Sequence, residues 1–284
     1  MKRDDLHLAG NLHPGYTLAE TMPAQPLKAS PPEDRRPSPS WYLDPLVAEQ
    51  KKRAHADLLH SYIGGRSPRI FLKTDLFEEA HGGDALLPSV APDARLKLGV
   101  DISSLTVRAA KARHSDIAAG LVAADVRHLP FRSGSVDLIL SNSTLDHFQA
   151  PSQLFEALAE LSRVLQPGGS LIVTLDNPWN PLYWPLRAMS RLRATPFSLG
   201  CTFSAPKLVQ ALKDCGLEVG RAGTLLHNPR ILSTILFLGL RRCLNKRADA
   251  PVRKLLRFFA VGEMLPTRWL TGCFVSVCAR KPIQ

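Results

Sequence analysis

The 284-residue sequence has few cysteines and no long hydrophobic run, and both shortages restrict what the protein can be. No stretch approaches the roughly 20 consecutive apolar residues that a membrane-spanning helix requires. The five cysteines form no Cys-x-x-Cys pair and have no histidines at zinc-site spacing, which indicates reduced thiols in a cytoplasmic protein. The N-terminal sequence MKRDDLHLAG also lacks the apolar core of a secretory signal.

Acidic residues are scarce in the C-terminal third of the chain. Residues 181–284 contain 17 Lys and Arg but only 4 Asp and Glu, whereas residues 1–180 contain 19 and 21. The excess positive charge therefore lies in the C-terminal third. It indicates either an anionic partner, such as a phosphorylated substrate, an anionic membrane surface or nucleic acid, or a solvated basic face.

The composition changes along the chain predict three parts. Residues 1–40 are rich in proline and polar residues, which is typical of a disordered or extended arm. Residues 41–65 show a helical pattern that ends at Gly64-Gly65. Residues 66–284 form the main domain, with a helical and basic insertion at about 181–265.

Short β-rich runs alternate with helical patterns from residue 69 onward. Five strands are expected at 70–72, 96–101, 118–125, 136–141 and 170–175, followed by two more at 217–221 and 273–280. A helix at 153–165 ends at Pro167-Gly168-Gly169, which predicts a turn into strand five. The alternation predicts an α/β fold: a doubly wound, mostly parallel, Rossmann-like sheet of seven strands. Ligands of such sheets bind at the carboxyl ends of the strands.

Two aspartates come at the ends of neighbouring predicted strands. Asp101 closes the second strand and Asp125 the third. A carboxylate after strand two can accept both hydroxyl protons of a ribose. One after strand three can accept a hydrogen bond from an adenine amino group, while the backbone of Val126 serves a ring nitrogen. Either aspartate alone would suit a turn or a helix cap, but together they favour a nucleoside site.

The sequence DVRHLPFRSGSVDLILSNSTLDHF, followed by ELSRVLQPGGSLIV, resembles class I S-adenosylmethionine-dependent methyltransferases. The similarity is greatest to the small-molecule branch that includes quinone and sterol methyltransferases. The resemblance implies S-adenosyl-L-methionine as the cofactor. It assigns to the cofactor site Asp101, Ile102, Asp125, Val126, Ser141 and Asn142.

The stretch LKTDLFEEAHGGDALL departs from that family, in which the first strand runs into a loop of the form acid-x-Gly-x-Gly-x-Gly. Gly82 and Gly83 are candidates for the close backbone approach to the methionine part, because a Cβ would block it. Asp75 or Glu78 is the candidate for the acid that holds the ammonium group. Three alternatives remain: a variant loop that binds the same cofactor, a related nucleoside ligand, or a scaffold without a cofactor.

His147 is the candidate general base, because its ordinary pKa near 6.5 suits removal of a hydroxyl proton. Asp146 either orients it or acts itself, and Asp176 is a third candidate. The alternative is that this stretch packs beside the cofactor without handling protons. The sequence Ser-Asn-Ser-Thr at 141–144 is not the Asn/Asp-Pro-Pro-aromatic quartet of nucleic-acid amino methyltransferases, which disfavours a nucleic-acid substrate.

Residues 181–250 join a basic amphipathic stretch to the apolar run Ile231–Leu240 and to basic residues after it. This pattern indicates either a helix on an anionic membrane surface or a buried helix that covers the pocket. Both predict an apolar chamber. We therefore expect a methyltransferase acting on a small apolar or lipid-like acceptor, cytoplasmic and peripheral to the membrane in the first case. The alternatives are an RNA methyltransferase that uses the basic region and a non-catalytic protein of the same fold.

Overall fold

A computed structural model describes residues 44–63, 67–91, 93–115, 119–192 and 199–283. All of them belong to one compact unit, residues 35–284. The predicted arm at 1–40 lies outside the described residues. Among the helices that are described, none is both long and apolar enough to span a bilayer.

A seven-stranded sheet forms the centre of the fold. Its strands are β1 (Ile70–Thr74), β2 (Leu96–Asp101), β3 (Ala119–Ala123), β4 (Val136–Asn142), β5 (Leu165–Asp176), β6 (Glu218–Leu225) and β7 (Phe274–Arg280). The order across the sheet is β3-β2-β1-β4-β5-β7-β6, and only β7 runs antiparallel to its neighbours. The predicted doubly wound, mostly parallel sheet is confirmed. Its strand order reverses between β1 and β4, where such sheets bind ligands.

Helices cover both faces of this sheet. They are α1 (Pro45–Ile63), α2 (Phe77–His81), α3 (Ser104–Arg113), α4 (Pro151–Val164), α5 (Tyr183–Arg191), α6 (Ala205–Asp214), α7 (Arg230–Leu244), α8 (Asp249–Ala260) and α9 (Arg268–Thr271). Leu171 and Val173 of β5 pack with α4 and α6, whereas Ile172 between them packs with α1 and α3. Successive side chains of a strand point to opposite faces, so the sheet has a core on each side.

The Pro-Gly-Gly sequence at 167–169 does not form the predicted turn. Helix α4 ends at Val164 and β5 begins at once with Leu165, so these residues lie inside the strand. The register shifts there, because Val136 pairs with Leu165 but Leu138 pairs with Ser170. The extra residues bulge out of the strand, and the positive φ of 77° at Gly168 allows the bend.

The predicted insertion at about 181–265 is not continuous, because part of it belongs to the central fold. Helix α6 and strand β6 return to it between two added segments. The first follows β5 and contains α5, and the second joins β6 to β7 and contains α7, α8 and α9. Both segments lie beyond strand ends on the side of the sheet where the ligand crevice opens.

Candidate functional site

Asp101 lies at the carboxyl end of β2, where its carboxylate joins two loops. Its Oδ2 accepts a hydrogen bond from the Leu76 backbone N–H at 3.0 Å, and its Oδ1 accepts one from the Ser103 N–H at 2.8 Å. The carboxylate thus lies at the edge of the sheet where ligands of such folds bind. The neighbouring Ile102 is 57% exposed and offers an apolar surface at the same edge.

Asp125, which follows β3, is already engaged by an arginine. Arg127 donates to it from its backbone N–H at 2.9 Å and from its guanidinium at 2.6–3.0 Å. Burial raises the pKa of Asp125, but the hydrogen bonds from Arg127 outweigh it and lower the pKa overall. An adenine amino group would share this carboxylate with Arg127, which the sequence-based hypothesis did not foresee. Val126 is buried beside it.

The turn after β1 contains a residue in the left-handed backbone conformation, at a place where the methyltransferase pattern has its glycine loop. Asp75 has a φ of 66°, and its Oδ1 accepts the Phe77 N–H at 2.8 Å. Aspartate tolerates this conformation better than most residues, because its short side chain bonds to the local backbone. If Asp75 takes the first glycine place of acid-x-Gly-x-Gly-x-Gly, then Lys73 takes the place of the acid. Phe77 and Glu79 take the other glycine places.

Lys73 is fully buried in β1, and its ammonium group is neutralised inside this turn. It contacts the Asp75 carbonyl at 2.5 Å, Glu79 Oε2 at 2.7 Å and Glu78 Oε2 at 3.3 Å. Burial lowers the pKa of Lys73, but the charges of Glu79 and Glu78 outweigh it and raise the pKa. The other oxygen of Glu79 accepts the N–H groups of Leu86 and Leu87, both at 3.0 Å. A buried ion network therefore occupies the place of the glycine loop.

Gly82 and Gly83 lie at the other end of α2, against α1. A Cβ on Gly82 would come within 2.4 Å of Asp84 Oδ1, and one on Gly83 within 3.5 Å of the Cβ of Ala48. Lys51 of α1 bridges this region through Glu78 at 2.9 Å and Asp84 at 2.7 Å. The structure thus places the two glycines away from the turn after β1, where the sequence-based hypothesis needs them. Glu78, a candidate for the ammonium group, is held by two lysines instead.

Hydroxyl and amide groups gather at the end of β4. Thr74 Oγ1 lies 3.1 Å from Ser141 Oγ and 2.7 Å from Thr144 Oγ1. Asn142 Oδ1 accepts from Thr174 at 2.9 Å, whereas its Nδ2 is buried without a hydrogen-bond partner in the described part of the chain. Buried polar atoms are normally paired, so a donor left over in the crevice fits a ligand acceptor.

Asp146 and Asp176 form a buried carboxylate pair where β4 and β5 end. The backbone N–H of Asp176 donates to Asp146 Oδ2 at 2.8 Å. Burial and the negative charge of Asp176 raise the pKa of Asp146 well above its ordinary value. Arg230 forms an ion pair with Asp176 and lies over the Phe274 ring at 4.2 Å. Asp146 thus bonds to β5, which does not support its predicted role in orienting His147.

A cavity of about 160 Å³ extends from this pair, and we call it the α5–α7 cavity. It is lined by Asp176, Asn180, Leu182, Tyr183, Pro185, Leu186, Met189, Arg230, Ile231, Leu232 and Cys273. The two charged residues in this lining are Asp176 and Arg230. His147 is not in the lining, and its role as base stays a prediction. The sequence analysis did not identify Arg230 as a candidate site residue. Its position directly before the apolar run Ile231–Leu240 could have indicated it.

Part of the chain matches a known domain family, and its fold matches solved structures. The methyltransferase domain model matches residues 81–173, starting after the turn of β1. An uncharacterized chloroplastic methyltransferase of Arabidopsis thaliana is 48% identical over 101 residues, which are 34% of this chain and 27% of that protein. The malonyl-[acyl-carrier protein] O-methyltransferase of Hahella chejuensis is 40% identical over 81 residues, 28% of either chain. The matches cover less than half of each of these curated relatives.

Solved structures extend the likeness across the sheet. The N-methyltransferase NodS of Bradyrhizobium japonicum, in complex with S-adenosyl-L-homocysteine, superposes with a TM-score of 0.51 at 13% identity. The superposition covers 82% of this chain and 87% of NodS. Residues 81–173 therefore match the methyltransferase domain family, and the chain has the fold of the class I S-adenosylmethionine-dependent methyltransferases. The cofactor of this family is S-adenosyl-L-methionine.

The residues of this chain fit the two halves of S-adenosyl-L-methionine differently. For the adenosine half, Asp101 lies at the carboxyl end of β2 and Ile102 offers an apolar face. For the methionine half, the buried lysine network replaces the glycines of the family pattern, and the amide of Asn142 is the donor without a partner. The adenosine half therefore resembles the family pattern more closely than the methionine half does.

Proposed function

We propose that this methyltransferase transfers a methyl group to a small apolar or lipid-like acceptor held in the α5–α7 cavity. The observation that carries the proposal is the cavity itself, whose lining is mainly apolar and contains the ion pair of Asp176 and Arg230 at one end. That end lies beside Asp146, at the edge of the sheet where the cofactor of this fold binds. An apolar pocket with few polar groups suits an apolar molecule with one polar reacting atom.

S-adenosyl-L-methionine supplies an activated methyl group on a sulfonium, so the protein needs chiefly to align the acceptor. Arg230 is the group that donates hydrogen bonds to an acceptor oxygen in the cavity. Asp176 is the group that takes up the hydroxyl proton, with His147 as the other candidate base. Burial and the negative charge of Asp176 raise the pKa of Asp146, whereas Asp176 has Arg230 as its ion-pair partner.

On the cofactor side, Asp101 is proposed to bind the ribose hydroxyls, because it ends β2 at the ligand edge of the sheet. Ile102 and Val126 are proposed to contact the adenine, and Asp125 its amino group. Ser141 and Asn142, at the end of β4, are proposed to face the methionine part. The curated relatives are matched over less than half of their length, so these assignments belong to the proposal.

The test is calorimetric titration of the full chain with S-adenosylmethionine and S-adenosylhomocysteine, followed by mass spectrometry. Cell extract, separated into lipid and RNA fractions, is incubated with the protein and a cofactor whose methyl group is isotopically labelled. The proposal expects labelled methyl on a lipid-like molecule. Label on RNA alone would rule out the apolar acceptor, and a flat titration with folded protein would rule out the cofactor.

A second candidate function is nucleoside binding without methyl transfer. The observation that favours it is the ion network of Lys73, Glu78 and Glu79 in place of the glycine loop. It predicts that adenosine binds about as tightly as S-adenosylmethionine, because the methionine part gains nothing. No labelled product would then form in any fraction.

A further inference from the structure

Helix α7 presents apolar residues on two opposite sides. One side, with Ser233 and Phe237, is buried, and Phe237 packs against Val252 and Leu256 of α8. On the other side Leu232, Ile235 and Leu236 are 61%, 63% and 44% exposed, at the i, i+3, i+4 spacing of a single helical face. A surface helix normally turns charged residues to the solvent, and one that is apolar all round is usually covered.

Helix α5 repeats this arrangement next to it. Tyr183 and Leu186 face inward, with Ile231 at the start of α7 packed against them. On the outer surface of α5 and at its two ends, four large apolar side chains are exposed: Leu182, Trp184, Met189 and Leu192. We call these four residues, together with Leu232, Ile235 and Leu236 of α7, the apolar rim.

The apolar rim adjoins the α5–α7 cavity. Leu182, Met189 and Leu232 line the cavity and are also among the exposed residues. A molecule that enters past these side chains therefore crosses an apolar surface. A polar solute gains little free energy from contact with these apolar side chains. A lipid-like molecule, in contrast, stays in contact with apolar groups throughout its entry into the cavity.

Basic residues border the apolar rim. Arg191 on α5, Arg242 at the end of α7, and Lys254 and Arg257 on α8 are exposed. Arg187 lies over the Trp184 ring at 5.8 Å. Within α5, α7 and α8 the acidic residue is Asp249, and it pairs with Arg241. The helices that carry the rim, together with α8, are therefore strongly positive.

We propose that the apolar rim inserts into the surface of an anionic lipid bilayer. Exposed apolar side chains bordered by Lys and Arg are the features by which interfacial helices bind such membranes. A second copy of the chain is a poorer occupant, because two positive borders would face each other. RNA is also a poorer occupant, because the rim is mainly aliphatic and offers few rings for base stacking. That the acceptor enters from the bilayer rests on the proposed function, whereas membrane binding does not.

The test is sedimentation of the full chain with vesicles of phosphatidylcholine, alone or mixed with phosphatidylglycerol, without cofactor. We expect binding to the mixed vesicles only, and weaker binding as salt is added. Ile235→Ser should lower the partition coefficient about tenfold, because the side chain no longer enters the apolar layer. Ile283→Ser is the matched control, since Ile283 is 77% exposed but lies near the C-terminus, outside the rim.

Four results would overturn the proposal. The first is that the protein does not bind the mixed vesicles, and the second is that Ile235→Ser and Ile283→Ser reduce vesicle binding equally. The third is that the protein binds RNA instead of vesicles, and the fourth is that it forms a dimer that Ile235→Ser dissociates. Because the measurement uses no cofactor, vesicle binding together with a flat cofactor titration would contradict only the proposed function. Cofactor binding without vesicle binding would contradict only the rim.

Discussion

At the scale of single residues, Asp101 is the side chain on which the adenosine half of the site most depends. It also holds Leu76 and Ser103, so it shapes the crevice as well as facing it. Asp101→Ala should weaken cofactor binding by about 1.5–3 kcal/mol, which is the usual worth of hydrogen bonds to a charged group. Isothermal titration calorimetry measures this directly.

The control for that variant is Asp214→Ala, which removes an exposed carboxylate at the end of α6. It should bind cofactor like the unaltered protein. A circular dichroism spectrum must accompany Asp101→Ala, because two backbone N–H groups lose their acceptor. Unchanged affinity in folded Asp101→Ala protein would remove the ribose assignment.

Arg230 and Asp176 should be coupled in stability. Arg230→Met leaves the carboxylate pair without its cation, and loss of one partner of a buried ion pair typically costs about 3–5 kcal/mol. Adding Asp176→Asn removes the uncompensated charge, so the double variant should be more stable than Arg230→Met alone. Urea unfolding of the four proteins of this cycle measures the coupling.

The exposed arginine variant Arg253→Met serves as the reference for that cycle. Arg253 lies on α8, and its contact with Glu49 is a loose 3.8 Å. Its loss should change the free energy of unfolding by less than about 0.5 kcal/mol. Additive effects of Arg230→Met and Asp176→Asn would mean that the ion pair does not connect the two residues energetically.

At the scale of elements, helix α1 contains a histidine that the fold keeps neutral. His55 is fully buried, and its Nδ1 lies 2.8 Å from the Lys51 carbonyl, while its Nε2 has no hydrogen-bond partner among the described residues. Burial is the main cause that lowers the pKa of His55 to about 4, and the charge of Lys51 contributes. The folded protein therefore binds this proton less readily than the unfolded chain, whose histidine has a pKa near 6.5.

It follows that His55 destabilises the folded state as the pH falls from about 6.5 to about 4. The free energy of unfolding should drop by up to roughly 3 kcal/mol over this window, relative to a variant that cannot take up the proton. His55→Gln is that variant, and its amide can still donate to the Lys51 carbonyl. Urea unfolding near pH 7 and near pH 4 gives the two differences, and equal differences would contradict the assignment.

The strands were predictable from sequence because each is a short apolar run bounded by turn residues, and β2 at 96–101 matches its predicted bounds. The turn after β1 was not predictable to the same degree. Nothing in the letters LKTD indicates that Asp75 is left-handed or that Lys73 is buried, because both depend on partners several residues away. The bulge at Gly168 was missed because Pro-Gly-Gly is more typical of a turn.

At the scale of the whole molecule, the charge asymmetry was visible in the composition, but the cavity was not. Eight of the 17 Lys and Arg residues of the C-terminal third lie on α5, α7 and α8. The cavity, however, requires Tyr183 and Ile231 to meet across 48 positions of sequence. Such long-range packing depends on where β6 returns to the sheet, which no local pattern specifies.

Cofactor binding should also stabilise the chain as a whole. At about 100 times its Kd, S-adenosylhomocysteine adds about 2.7 kcal/mol to the free energy of unfolding. In a protein of this size that corresponds to a rise in Tm of roughly 5–10 °C. Differential scanning fluorimetry measures this rise in Tm. AMP is the comparison ligand, used once at the same multiple of its own Kd and once at the same molar concentration. If AMP at equal concentration raised the Tm as much, the methionine part would not be recognised.

The buried lysine of β1 has a consequence for how such a chain can change by mutation. Replacing Glu79 by glycine, as the family pattern has it, would leave Lys73 buried without its nearest carboxylate, at a cost of about 3–5 kcal/mol. Replacing Lys73 first would strand Glu78 and Glu79 in the same way, although Lys51 still holds Glu78. No single substitution leads from this turn to a glycine loop without crossing a poorly folding intermediate. Conversion of one kind of turn into the other therefore requires that several of these residues be replaced together. A protein that has one kind of turn is expected to keep it.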